Sequence, residues 1–152
     1  VPSLDDRPGE TGPVPEHRER LTEAATRLET LVDAPSTDRR AWAEELRGAV
    51  VEMIDALAMH IDETEQPGGL YDEIMGDTPR LAHAVDILRR EHVAMLQDAS
   101  ALIQMTAVAS ASLDEARLHD HAVALVRAVE KHQRRGLKLL YDFYEVDIGI
   151  GE

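Results

Sequence analysis

A chain of 152 residues has room for one domain with a single core, and it contains no cysteine, which excludes disulfides, zinc–thiolate sites, iron–sulfur clusters and thiol nucleophiles. The formal charge of −14, from 30 acidic against 16 basic residues, repels polyphosphate, and no basic stripe offsets it, so nucleic acid is not expected as a partner. No run approaches the ~18 consecutive apolar residues of a membrane span, and no charged-then-apolar leader pattern opens the chain, so the expectation is a soluble cytoplasmic protein without a membrane partner.

Residues 1–14 (VPSLDDRPGETGPV) combine Pro, Gly and charge without a periodic apolar pattern and read as a flexible arm. Pro15 suits a first helical position, and His17, Leu21, Ala24, Leu28 and Leu31 then recur at steps of three and four up to the Ala34-Pro35 break, which predicts a first helix. Ser36, Thr37 and Asp38 offer capping oxygens for a second, whose stripe is Trp42, Leu46, Ala49, Met53, Leu57 and His60, ending at Pro67-Gly68-Gly69. LYDEIM adds a short helical turn. Thr78 as cap and Pro79 as first residue launch a third stripe of Leu81, Val85, Leu88, His92, Met95, Ala99 and Leu102. Ser112 and Glu115 form a capping box for a fourth, carrying Leu118, Ala122, Leu125, Val129, His132, Leu139 and Phe143. The glycines of VDIGIGE are expected to stop it, leaving residues 147–152 as an extended tail. No strand-like alternation appears and the connections are short. The fold expected for residues 15–146 is therefore all-α, an antiparallel up-down-up-down four-helix bundle.

Four of the seven histidines, His17, His60, His92 and His132, lie on the apolar stripes of four different helices. In an antiparallel hairpin, residues equally far from the turn stand at one height, because each adds ~1.5 Å along its axis. The point midway between His17 and His60 falls beside Asp38 in the first turn. Midway between His60 and His92 is Gly76, and midway between His92 and His132 is Ser112, both in connections. All four imidazoles are thus expected in one layer. A lone histidine on an apolar face is more often a hydrogen-bonded core residue than a ligand, but four unpartnered imidazoles in an apolar core are costly, and a bound ion satisfies several at once. Imidazole suits iron, zinc, copper, nickel and manganese, so the spacing gives the site type rather than the metal. His83, His119 and His121 fall outside the layer and read as surface or packing residues. The methionines read as core filler, and Tyr141 and Tyr144 as core or rim packing.

The segments EHRERL, HIDETEQPGGLYDEI, LRREHVAML and KHQRRGLKLLYDFYEVDIG together resemble the hemerythrin-like, HHE cation-binding, domain family from His17 to about Gly149. The resemblance implies a four-helix bundle around a non-haem iron centre, usually di-iron, associated with oxygen, nitric oxide, peroxide or iron handling. In the family a carboxylate follows the histidines of the second and fourth helices by four residues; those positions here hold Thr64 and Gly136. Glu63 is the nearest surviving carboxylate, giving an expected metal set of His17, His60, Glu63, His92 and His132. Glu65 is a substitute if the helix frays, and Glu91 is expected to point away.

Histidine-rich ligation without bridging carboxylates favours one iron, or a different divalent metal, over two irons, with a diatomic or peroxide as the small ligand. Two alternatives stay open: a haem held between layer histidines, and a metal-free four-helix interaction module. A homo-oligomer is compatible with either. No nucleophile, acid–base pair or substrate pocket is legible, so no catalytic residue is assigned.

Overall fold

The computed structural model describes residues 15–34, 37–108 and 112–150, the last five as backbone alone. The arm expected over residues 1–14 and the last two residues of the expected tail lie outside that set. The described residues are helical, without a strand: α1 (Glu16–Asp33), α2 (Arg39–Glu65), α3 (Leu70–Asp77), a 3-10 turn (Pro79–Leu81), α4 (Ala82–Thr106) and α5 (Glu115–Ile150). Each long helix packs on two others, α1 on α2 and α5, and α4 on α2 and α5. No described helix is long and apolar enough to cross a membrane.

The ends of the helices follow from local chemistry. Pro15 stands just outside α1, its carbonyl accepting from the amides of Arg18 and Glu19 at 2.9 and 3.2 Å. Ala34 is extended (φ −79°, ψ 136°), as a residue before proline prefers. Asp38 caps α2, its Oδ1 accepting from the amides of Arg40 and Ala41 at 3.0 and 3.2 Å. The turn from α2 into α3 needs its glycines: Gly68 has φ 76°, and a Cβ on Gly69 would stand 2.9 Å from the carbonyl oxygen of Gln66. Gly68 also donates its amide to Asp72 Oδ2 at 2.9 Å, tying the turn to the first residues of α3.

Three expectations at helix ends are corrected. The α5 cap is Asp114, whose Oδ1 accepts from the Arg117 amide at 3.0 Å, not a Ser112–Glu115 box; an acceptor immediately before the first helical residue reaches the third amide, and Ser112 lies too far upstream. Thr78 makes no side-chain cap bond, and the turn after it is 3-10 before α4 begins. Gly149 does not end α5, which continues through it to Ile150, because glycine weakens a helix without obstructing it.

The stripes read from the sequence are the buried faces. Leu21, Leu28, Leu46, Met53, Leu57, Ala99, Leu102, Leu125 and Val129 anchor the larger core, where their relative exposure is 0%. A smaller cluster of Tyr71, Ile74, Leu81, Val85, Leu88, Leu139 and Phe143 lies apart from it. Along α4 and α5 a buried histidine stands at the boundary between the two. On α4, for example, Leu88 belongs to the small cluster, His92 follows one turn later, and Met95 begins the large one.

The larger core should therefore dominate stability. Met53→Ala is expected to cost ~2–5 kcal/mol, and Asp38→Ala about 1 kcal/mol through the lost cap. Urea denaturation checks both, and equal small losses for the two variants would contradict the core assignment.

Candidate metal centre

The four layer histidines come from four helices, His17 from α1, His60 from α2, His92 from α4 and His132 from α5, and all are buried. Their rings touch in sequence around the bundle axis. Ring centroids are 5.1 Å apart for His17–His60 and His60–His92, 5.2 Å for His60–His132 and 4.7 Å for His92–His132. Three of them, His60, His92 and His132, offer nitrogens that all lie within 4.8 Å of one another. The shortest approaches are His60 Nε2 to His132 Nε2 and His92 Nε2 to His132 Nε2, both 3.1 Å. Ligand nitrogens ~2.0–2.1 Å from one ion at octahedral to tetrahedral angles stand about 2.8–3.4 Å from each other, so the two 3.1 Å approaches match pairs of ligands on a common cation.

The opposite nitrogen of each ring is held from behind. His92 Nδ1–H donates to Glu65 Oε2 at 2.8 Å, and His132 Nδ1–H to Glu91 Oε1 at 3.2 Å. His60 Nδ1 meets His17 Nδ1 at 3.0 Å. The two carboxylates are themselves placed by arginines: Arg135 Nη1 lies 2.9 Å from Glu91 Oε2, and Arg89 lies between Glu65 at 3.8 Å and Asp72 at 3.9 Å. A carboxylate on Nδ1 fixes the tautomer that leaves Nε2 bare, the arrangement by which metal-binding imidazoles are oriented.

That assignment leaves one contact that neutral rings do not satisfy. His17 Nδ1–H can donate to His60 Nδ1, and His60 Nε2–H to His132 Nε2. His92 Nε2 and His132 Nε2 then face each other as two lone pairs at 3.1 Å. The Tyr71 hydroxyl, 3.5 Å from His92 Nε2, offers a long hydrogen bond at most. Adding a proton between the two rings is opposed by the surroundings. Burial, followed by the neighbouring imidazoles, pushes His60 down to about 2. Burial is also the main cause lowering His132, with the charge of His92 next, and burial lowers His92 and His17 against the pull of nearby glutamates. A cation that carries no proton satisfies the same nitrogens.

The five residues expected to bind metal do not behave alike. His60, His92 and His132 converge; His17 contacts the group through His60; Glu63 is exposed, and no hydrogen bond or ion pair ties it to the layer. Glu65 and Glu91 hold the places behind the rings. Glu91 had been expected to point away because it lies beside His92 on α4, but it reaches across to His132 on the neighbouring α5. Tyr71, stacked on His92 at 5.9 Å and 12°, is a layer neighbour that the short LYDEIM segment did not single out; only the position of α3 brings it there. Its hydroxyl is pushed up to about 12, mainly by burial. Tyr141 and Tyr144, expected to pack, are exposed. His83 and His121 are exposed, and His119 bonds the Val32 carbonyl at 3.0 Å, all outside the layer.

Comparison with protein-family models, with curated proteins and with solved structures finds no match to this chain. The side chains themselves therefore carry the functional reading. Beside His60 and His132 a cavity of about 400 Å³ opens toward α1 and α5, with Thr64 and Gly136, the two positions lacking carboxylates, in its wall. The layer is thus closed by glutamates on one side and open to a cavity on another.

A pH dependence follows. The folded chain holds these imidazoles below the ordinary value of 6.5, so it binds fewer protons than the unfolded chain once pH falls under that value. Their contribution to stability is complete above pH ~6.5 and is lost on acidification toward the folded pKa, by about 2 kcal/mol at pH 5 for His60. The thermal midpoint should be level from pH 7 to 8 and fall from pH 6.5 to 5, with a shallower fall in His60→Leu. A midpoint independent of pH across that interval would contradict buried neutral histidines.

Proposed function

We propose that the chain is a hemerythrin-like metal-binding protein, an antiparallel up-down-up-down four-helix bundle that holds one non-haem iron-type ion on His60, His92 and His132 and binds or handles oxygen, nitric oxide or peroxide there. The observation that carries it is the approach of His92 Nε2 and His132 Nε2 to 3.1 Å with a carboxylate against the Nδ1 of each ring, which favours the tautomer that leaves both Nε2 atoms bare. The antiparallel arrangement is supported by the partners along α1 and α2, where His17 meets His60, Arg20 meets Met59 and Arg27 meets Glu52.

Three imidazoles with remaining coordination positions suit an ion that works on a small ligand rather than one that only ties helices together. When bound, the ion supplies Lewis acidity and, for iron, a redox couple. The residues supply the rest: Glu65 and Glu91 orient the rings and raise their basicity, and the apolar cavity wall limits water. Absence of acids at Thr64 and Gly136, and exposure of Glu63, favour one ion over a carboxylate-bridged pair. A haem between His60 and His132 is disfavoured, because axial nitrogens on a common iron stand about 4 Å apart on opposite sides, twice a bond of ~2.0 Å, whereas these lie 3.1 Å apart. A purely structural layer would leave the two lone pairs opposed.

Elemental analysis of protein dialysed against Fe²⁺ or Zn²⁺ at pH 7 should give about one ion per chain. His92→Ala and His132→Ala should abolish it, Glu65→Gln should weaken binding ~10–100-fold, and Glu63→Gln should leave it unchanged. The iron form should change its visible spectrum on exposure to air or nitric oxide. Protein that takes up neither metal, or histidine variants that bind as the parent does, would overturn the proposal.

A further inference from the structure

The cavity beside the histidine layer has features that metal binding does not require. Among the described residues no aspartate or glutamate lines it, in a chain with 30 acidic residues. Its walls include Leu21, Leu70, Leu88 and Leu139, and its charged member is Arg18. Arg18 is half-buried and has no carboxylate within 4.0 Å among the described residues, unlike Arg89 and Arg135 behind the rings. Burial works against its charge, and the phenols of Tyr144 and Tyr71 are the groups beside it that favour that charge. A guanidinium keeps its proton at such a site, so it presents a charge to an anion that enters the cavity.

Gly136 adds a second, independent observation. It lies inside α5, where glycine is the poorest helix former after proline. Neither a positive φ nor a close approach explains it, since a Cβ there would meet nothing within 4 Å. The missing side chain has one structural effect, which is to leave volume in the cavity wall. At ~30 Å³ for each water-sized group, 400 Å³ accommodates about a dozen non-hydrogen atoms.

We propose that this cavity binds a small organic monocarboxylate, its carboxylate paired with Arg18 and its short apolar body lying against the leucines beside Gly136. Size and lining match a ligand site, mostly apolar with one oriented polar group. The bidentate fork of arginine suits a carboxylate. The site is independent of whether a metal occupies the imidazoles, although a ligand held there would lie beside them.

Calorimetric titration of the full chain with octanoate, and with octan-1-ol as the uncharged counterpart, tests the proposal. Titrations are run on zinc-treated protein and on protein kept with a chelator, and the zinc-to-protein ratio is measured separately, so failure of the metal reading and failure of this one are distinguishable. In the chelator arm octanoate is expected to bind at least tenfold tighter than octanol. Arg18→Met should remove that preference and leave octanol binding in place. Gly136→Phe, whose Cβ meets nothing within 4 Å and which replaces a poor helix former, should weaken both ligands at least tenfold, with folding checked by helicity and by Gly136→Ala, which should fold as well as the parent. Equal affinity for the two ligands, octanoate binding unchanged in Arg18→Met, or binding unchanged in a folded Gly136→Phe would each overturn the proposal. So would octanoate binding that appears only with zinc and ignores Arg18, since the metal would then hold the carboxylate.

Discussion

Two imidazole nitrogens 3.1 Å apart, His92 Nε2 and His132 Nε2, each on a ring whose other nitrogen faces a carboxylate, set the terms for the residues around them. Lone pairs at 3.1 Å on buried rings repel, and each ring is fixed from behind by a glutamate that keeps it in place. The glutamates in turn lean on Arg89 and Arg135, and those arginines place the chain of contacts on the protein surface. Four helices contribute to one layer, so the site depends on the register of the whole bundle. A one-residue slip of α4 against α5 would turn His92 about 100° away from His132.

The fold separates stability from chemistry. The larger core, from Leu21 and Leu28 through Met53 to Leu125 and Val129, is fully apolar and lies on one side of the layer. The smaller cluster around Tyr71, Ile74 and Phe143 closes the other side less completely. Polar side chains that a small core could not tolerate are therefore carried by a bundle whose cohesion lies elsewhere. The cavity occupies the less complete side, where Thr64 and Gly136 present little bulk.

Helical periodicity made much of this legible. The stripes from Leu21 to Phe143 are the buried faces because three- and four-residue spacing has one physical solution in a helix. The level of the histidines followed from rise per residue and the positions of the turns, quantities that a sequence contains. What failed depended on neighbours rather than on spacing. Glu91 was assigned outward from its angle on α4, yet an adjacent helix brings His132 to it. Glu63 was favoured over Glu65 for its distance from His60 along one helix, whereas Glu65 meets His92 on another. Tyr71 depends on how the Gly68–Gly69 turn aims α3, which no periodic signal encodes. Asp114 rather than Ser112 caps α5, a competition between two good capping residues that only the position of the first helical turn decides.

The central claim is that one cation sits among three imidazoles, and anomalous diffraction from crystals of the full chain soaked in Zn²⁺, collected at the zinc edge, measures it directly. A single peak ~2.0–2.1 Å from Nε2 of His60, His92 and His132 is the expected result. Clear density for these rings with no anomalous peak between them, or a peak on surface carboxylates alone, would contradict it.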